Sequence, residues 1–370
     1  MKKIAFIIPT LDNGGAEKVV SNLLLNLSEE YEKYLILLDG SKIIYPYKGE
    51  IIDLKTFKNK GIFKFFNYFF AFFKLKKIKK KYKFDIVISF LEIPSFLNLL
   101  TKNEEKVVIS VRNYTSKAFR GLRAHIYFPL IRRLYHFSDK IISVSKEIKK
   151  DLIDFFGINE EKIEIIYNFY DLEMIEKLSL ENLEEKYKNI FEKKVIINTG
   201  RLSYQKGQNL LLESFSKIKN RNEYNLVILG EGNLENELKE QAKYLGIEKD
   251  VYFLGFQKNP YKFLKKADIF VFPSRFEGFP NALAEAMACG LPIIANDCPS
   301  GPKEILENQY GLLIKNIDDE ENVINKLIEY MEELDNEYIK MKYRKKSLER
   351  IKVFKKENII KNWERIIKEI

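Results

Sequence analysis

Apolar residues in this chain come in short continuous runs, each followed by a glycine or polar turn and then by an apolar stripe at helical spacing. Ile4–Pro9 is the first such run. An unbroken apolar strand is what a parallel sheet covered on both faces requires. Gly14 and Gly15 make the loop after it, and Ala16–Leu27 sets Val19, Val20, Leu23, Leu24 and Leu27 on one helical face. Further strands are predicted at Tyr34–Asp39, Asp85–Phe90, Val107–Val111 and Lys140–Val144, with helical segments between them. The same grammar restarts after Asn168. Strands are predicted at Val195–Gly200, Asn225–Gly230, Val251–Leu254, Asp268–Pro273 and Pro292–Ala295, and helices at Gln208–Lys219, Asn233–Leu245 and Asn281–Cys289.

This alternation predicts an α/β protein with mostly parallel sheets. With 370 residues the chain is long enough for two cores. We expect two Rossmann-like domains with parallel sheets facing a central cleft, residues 1–168 and 169–351, with the polar stretch Asp171–Lys194 opening the second. The charged segment Asn336–Ile370 is expected to be helical, and its end, about 352–370, to pack back on the first domain. Ligands of such sheets bind outside the carboxyl ends of the strands.

Charge changes the picture more than composition does. The net charge is +10, yet residues 1–170 carry 30 Lys+Arg against 19 Asp+Glu, while the remainder carries 33 against 34. The basic excess therefore belongs to the first domain and calls for an anionic partner there. Cys289 and Cys298 make no disulfide framework and no metal-ligand spacing, and are read as reduced, buried thiols of a cytosolic protein. The N-terminal apolar run ends at Pro9 without a small-residue cleavage site, so it reads as a strand and not as a leader. No transmembrane helix is expected.

The richest stretch for chemistry is Phe272–Glu285, FPSRFEGFPNALAE. A strand ends at Pro273, a loop carries Gly278 and Pro280, and a helix follows with Asn281 as its N-cap and Gly290 just past its end. Glu277 and Glu285 thus stand at a strand's carboxyl end beside a helix N-terminus. That places two acceptors for hydroxyls next to an anion site, which suits a sugar nucleotide. The competing reading makes Glu285 a complement to the helix dipole and Glu277 a solvated side chain. Gly200–Gly207, GRLSYQKG, is a second strand-to-helix loop, and its Arg201 and Lys206 are suited to a leaving diphosphate. It lacks the spacing of a nucleotide-triphosphate P-loop. Glu231 and Gly232 lie in a third loop, GEG, which reads equally as a tight turn or as a ligand contact.

Taken in order, GGAEKV, SVSKEIKKDL, IYNFYD, GRLSYQKG, LGEG, FLGF and EGFPNALAEAMACGLPII resemble glycosyltransferase family 4 over nearly the whole chain. The resemblance implies a GT-B fold and a retaining hexosyltransferase that uses a nucleotide sugar, with no cofactor and no metal. No Asp-x-Asp triplet is present. It implies Glu285 on the ribose hydroxyls, Glu277 near the donor sugar, and Arg201 and Lys206 on the diphosphate. Backbone groups of Phe279, Pro280, Asn281, Ala282 and Leu283 would face the sugar and phosphates, with Gly15 closing from the other domain. Many relatives carry a histidine after the strand at Val107–Val111; here the place reads Arg112-Asn113, which become the acceptor-side candidates. His125 and His136 fall in a basic helical segment and read as structural or surface residues.

Gly61–Phe84 holds eight Phe and eight Lys, and Lys117–Arg133 adds Arg120, Arg123 and Arg132. Aromatic and basic residues together suit an anionic membrane surface. The competing reading is a sheet-covering helix with a solvated lysine face. With CPSGPKEIL at Cys298–Leu306, which looks like polysaccharide-assembly members of the family, the expectation is transfer of a hexose or N-acetylhexosamine. The donor would be UDP-linked and the acceptor lipid-linked or a surface glycan, at the inner face of the cell membrane. Rival readings are a sugar-nucleotide epimerase of the same fold and a non-catalytic sugar-nucleotide-binding protein. No nucleic-acid module accompanies the lysines.

Overall fold

The computed structural model describes residues 1–12, 14–56 and 62–370, with backbone alone for 62–66. Gly61, which opens the Phe- and Lys-rich segment, lies outside the described residues. The chain forms two compact units: unit 1 comprises Met1–Phe169 and Glu357–Ile370, and unit 2 is Tyr170–Lys356.

Among the described residues, unit 1 holds a seven-stranded sheet of β1 (Lys2–Ile8), β2 (Tyr31–Leu37), β3 (Glu50–Asp53), β4 (Ile86–Phe90), β5 (Lys106–Val111), β6 (Lys140–Ser143) and β7 (Ile163–Ile165). The order is β3-β2-β1-β4-β5-β6-β7, and every pairing is parallel. Strand β1 shows why its sequence is unbroken. Ile4, Phe6 and Ile8 enter one core while Ala5 and Ile7 enter another, because successive side chains point to opposite faces. The first core is closed by helix α1 (Gly15–Asn26) and the second by helix α2 (Ile62–Tyr82). Helix α3 (Glu92–Leu100) follows β4, and helix α4 (Leu122–Leu134) follows β5.

Unit 2 repeats the scheme with β8 (Lys194–Thr199), β9 (Tyr224–Leu229), β10 (Val251–Phe253), β11 (Ile269–Phe272), β12 (Ile293–Asn296) and β13 (Leu312–Ile314). Its all-parallel order among the described residues is β10-β9-β8-β11-β12-β13. Helix α5 (Gln208–Lys217) follows β8, and helix α6 (Asn281–Ala288) follows β11. In each unit the strand order reverses once, between β1 and β4 and between β8 and β11. A crevice opens at the carboxyl ends of such a pair, because the following helices leave to opposite faces.

The elements that sequence pattern misses are β3, β7 and β13. They are three or four residues long and sit at sheet edges, too short to carry a period. The expected C-terminal helix is broken: Glu337–Arg350 runs into a 3-10 turn at Ile351–Phe354, Lys355 is extended, and helix α7 (Lys356–Glu369) begins anew. Ile359, Ile360, Trp363, Ile366 and Ile367 are buried on one stripe of α7 in the unit 1 core, with Trp363 stacked on Phe90 at 6.3 Å.

Helix α2 divides its aromatic residues between a core-facing stripe and an exposed face. Its inward stripe is Tyr68, Ala71, Phe72, Leu75, Ile78, Lys79 and Tyr82, at spacings of three and four. Lys79 Nζ lies 2.7 Å from Glu105 and donates to the Asn98 backbone and side-chain oxygens at 2.8 and 2.7 Å. Burial pulls this lysine down to about 8 despite the carboxylate beside it. Its outward face carries Phe69, Phe70 and Phe73, exposed at 54%, 60% and 52%.

Trp363 is the chain's single tryptophan and is 1% exposed. We expect Trp363→Ala to destabilise unit 1 by about 3–5 kcal/mol, as cavity-forming aromatic truncations do. Urea unfolding followed by far-UV circular dichroism checks it; an unchanged first transition would mean that α7 does not hold the unit together.

Candidate functional site

The reversal between β8 and β11 brings together the two loops singled out in the sequence. Residues 200–207 leave β8 and residues 273–280 leave β11. Gly207 makes their contact possible: its φ is +66°, and a Cβ there would sit 2.2 Å from the Pro273 carbonyl oxygen. No other residue tolerates both demands. The loops are then zipped by polar contacts. Arg275 N–H donates to Gln205 O and Gln205 Nε2 donates to Phe276 O, each at 2.8 Å. The Arg275 guanidinium donates to Tyr204 O at 2.8 Å and lies 4.2 Å from the centre of the Tyr204 ring.

Inside this clasp, Lys206 Nζ donates to Glu277 Oε1 at 2.6 Å. Glu277 is 8% exposed, so it is not a solvated loop side chain. Its backbone N–H donates to Pro299 O at 3.2 Å, fixing the loop against the strand-end segment after β12. Lys206 also stands over the Phe272 ring at 5.4 Å. A carboxylate and an ammonium held in contact at low exposure are poised for a ligand carrying both phosphate and hydroxyl groups. Phosphate competes for the cation, and sugar hydroxyls can donate to the carboxylate.

Helix α6 begins where Glu277's loop ends. The first turn of a helix presents N–H groups that the helix itself does not bond. Asn281 is not the N-cap expected from its residue type. Pro280 occupies that position in extended conformation, without a side-chain cap, and Asn281 is the first helical residue. Its amide oxygen instead accepts from the Tyr170 hydroxyl at 2.8 Å, a long-range partner that outcompetes local capping. Gly290 follows the helix at φ +79°, as its residue type predicts. Phe279, Pro280 and Leu283 are buried, and the Phe279 ring packs edge-on against Phe354 at 5.4 Å, so these residues offer a ligand backbone and not side chain. Glu285 is buried in α6 within 3.5 Å of the Tyr261 hydroxyl. Cys289 and Cys298 are both buried free thiols, and Cys289 Sγ donates to Tyr261 O at 3.9 Å. Burial pushes the Cys289 thiol up to about 12 and the Cys298 thiol well above its ordinary range, with Glu285 and Glu277 adding to the respective effects.

Arg201 is exposed at the mouth of the first loop. Glu231 and Gly232 lie beside it through the backbone: Leu202 N–H donates to Glu231 O at 3.0 Å, and a Cβ on Gly232 would meet Leu202 O at 2.1 Å. Gly232 is thus required by loop packing, whereas the Glu231 side chain is exposed. In unit 1, Gly15 is the first residue of α1, one earlier than expected. Arg112 is buried, and its guanidinium donates to Asn168 Oδ1 and Ser110 Oγ. Asn113 is partly buried and bonds to Glu92. Sequence reasoning missed Arg275 and Gln205, which stand inside the motifs it had marked. It also missed Tyr170, which stands inside IYNFYD, and Tyr261, for which no local signal exists.

The family models for "Glycosyltransferase Family 4" and "Glycosyl transferases group 1" match residues 13–174 and 181–348. The chain is 33% identical over 371 residues, 98% of each chain, to the N-acetylgalactosamine-N,N'-diacetylbacillosaminyl-diphospho-undecaprenol 4-alpha-N-acetylgalactosaminyltransferase of Campylobacter jejuni. It is 27% identical, over 100% of this chain and 99% of the other, to the alpha-1,4-N-acetyl-D-galactosaminyltransferase of the same organism that acts on GalNAc-alpha-(1->4)-GalNAc-alpha-(1->3)-diNAcBac-PP-undecaprenol. Among solved structures, a glycosyltransferase from Rickettsia africae superposes with a TM-score of 0.77 at 19% identity, covering 100% of this chain and 98% of that one.

Removing either member of the Lys206–Glu277 pair strands the other charge at low exposure. We expect Lys206→Met and Glu277→Gln each to destabilise unit 2, and the double variant to lose less than their sum, with a coupling of about 0.5–3 kcal/mol. Strict additivity in urea unfolding would show that the contact does not bind the loops.

Proposed function

The chain belongs to glycosyltransferase family 4, and from that premise we propose that it moves an N-acetylhexosamine or hexose from a UDP-linked donor to a polyprenyl-diphosphate-linked glycan, with retention of configuration. The observation that carries this reading is the Lys206–Glu277 pair at the strand reversal of unit 2, beside the start of α6. In this reading the donor diphosphate draws Lys206 away from Glu277, with Arg201 and the α6 N-terminus sharing the negative charge. Glu277, freed of its counter-ion, accepts hydroxyls of the donor sugar, and Glu285 accepts those of the ribose.

The chemical step follows. The bond from the sugar's anomeric carbon to the phosphate oxygen breaks, and its electron pair goes to the phosphate. The acceptor oxygen bonds to the same face of the sugar, and its proton passes to a phosphate oxygen. Positioning and charge stabilisation by fixed groups supply the rate. No metal and no resident cofactor enter the proposal. The two Campylobacter relatives are named as α-N-acetylgalactosaminyltransferases acting on undecaprenol-diphosphate-linked sugars, which supports both the acceptor class and the N-acetylhexosamine.

A lipid-borne acceptor also gives a use to the exposed face of helix α2. No helix among the described residues is long and apolar enough to cross a membrane. The exposed Phe69, Phe70 and Phe73, with exposed Lys76, Lys77, Lys80 and Lys81 on the same helix, suit insertion at an anionic surface, the ring edges in the acyl boundary and the ammonium groups at the headgroups. This supports peripheral residence on the cytoplasmic face.

Incubation with a panel of UDP- and GDP-sugars and a lipid-extract acceptor should give acceptor-dependent nucleotide release with one donor, abolished in Glu277→Ala. Arg201→Ala or Lys206→Ala should lower kcat by roughly 10²-fold or more; near-normal turnover in either rejects its role on the diphosphate. Conversion of the donor without acceptor would instead favour an epimerase. For the membrane, replacing Phe69, Phe70 and Phe73 together by Ser should cut sedimentation with phosphatidylglycerol-containing vesicles by at least about tenfold. Binding unaffected by the triple change, or indifferent to lipid charge, would refute the surface.

A further inference from the structure

Unit 1 has a strand reversal of its own, between β1 and β4, and the first residues after β4 are built unlike an ordinary helix start. Leu91 has φ +69° and ψ 166°, a region that is essentially glycine's alone. A leucine held there costs on the order of 1–3 kcal/mol, so the surrounding structure must fix it. It does: the Leu91 carbonyl accepts from Ser95 N–H at 3.1 Å and Ser95 Oγ at 2.7 Å, and Asn98 Nδ2 ties α3 to β4 through Val87 O at 3.1 Å and Ser89 Oγ at 3.2 Å.

What the kink delivers is Glu92, at the carboxyl end of β4. This is the position in unit 1's strand order that Glu277 holds after β11 in unit 2. Glu92 is partly buried and accepts hydrogen bonds from the Asn113 side chain and its own backbone N–H. No lysine or arginine forms an ion pair with it among the described residues. The groups that feel its charge are the Tyr127 and Tyr135 hydroxyls, from α4 and the turn after it, with Arg123 acting on Tyr127. Burial raises the Glu92 carboxyl above the usual carboxylate range, and the two hydrogen bonds oppose that only in part. A carboxylate complementing a helix dipole on a surface would be solvated and would need no strained residue to aim it.

The geometry points to Glu92 as the residue that binds the acceptor sugar, its carboxylate accepting a hydroxyl of the terminal acceptor residue, oriented by Asn113. Tyr127, whose ring meets Phe96 and Phe119 at 5.7 and 4.7 Å, supplies an aromatic wall for the apolar face of a pyranose. Arg112, the neighbouring acceptor-side candidate, is buried and engaged with Asn168 and Ser110. The inference rests on the transferase reading for its substrate, but not for the site.

Two measurements separate the failure of one from the failure of the other. With wild type turning over, Glu92→Gln should raise the acceptor KM or lower kcat/KM for acceptor by roughly 10- to 100-fold, the effect of losing a hydrogen bond to a charged group. Donor KM, UDP binding and the thermal midpoint should stay unchanged. An unaltered acceptor KM overturns the assignment. If wild type turns over no donor, the proposed reaction fails, and ligand-observed NMR with methyl α-N-acetylgalactosaminide in saturating UDP decides the site. Binding by wild type that is lost in Glu92→Gln supports it, and binding that is retained, or absent from wild type, overturns it.

Discussion

The approach of two backbone segments, Gly207 against the Pro273 carbonyl, sets the geometry on which unit 2's chemistry rests. The loops after β8 and β11 leave adjacent strands toward opposite faces, and nothing in sheet hydrogen bonding holds them together. A side chain at residue 207 would push them apart. Without one, backbone touches backbone, and Lys206 reaches Glu277 across the join. The ion pair is a consequence of that contact before it is a cause of anything. The Gln205 and Arg275 bonds share the work of keeping both loops in register.

Unit 1 solves a different problem. Helix α2 exposes Phe69, Phe70 and Phe73 while Tyr68, Ala71, Phe72, Leu75 and Ile78 pack on the core, and one lysine, Lys79, is buried with them. Burying an ammonium is costly unless a carboxylate and further oxygens receive it. Glu105 and Asn98 do, and their positions on β5's approach and on α3 make α2's seat dependent on two separate elements. Polar anchoring here has a directional virtue that apolar packing lacks: it fixes the rotation of the helix about its axis and hence which residues face outward.

How legible this was in the sequence depended on the range over which each feature is determined. The long strands, the helix starting at Asn281 and the Gly290 stop are written in consecutive residues, and the loops carrying Arg201, Lys206 and Glu277, with Glu285 in the helix that follows, were identifiable because glycines and prolines bracket them. The contact between Lys206 and Glu277 was not legible, since 71 positions separate them and only the strand order brings them together. Asn281 misled because its residue type favours capping, while a tyrosine far along the chain claimed its side chain. The exposed face of α2 was hidden by its composition. Phenylalanines and lysines are mixed around the whole helix, and only the packing of Ala71, Leu75 and Lys79 reveals which side is outward. Glu92 escaped notice because a single glutamate after a strand has no pattern; its meaning comes from a backbone angle at Leu91.

The return of α7 to unit 1 reaches into how the protein is made. Unit 2 is one continuous stretch and can collapse as soon as it is synthesised, but unit 1 lacks Trp363 and the isoleucines beside it until the chain has passed through all of unit 2. On the ribosome the usual order of domain completion is therefore reversed, because the N-terminal unit waits for the C-terminal one. During that interval Phe90 and the α1 face of the sheet stay open, alongside the exposed phenylalanines of α2. A nascent unit 1 would present apolar surface on two sides at once. A chaperone that meets it early would be attending to an unfinished core as well as to the exposed phenylalanines of α2.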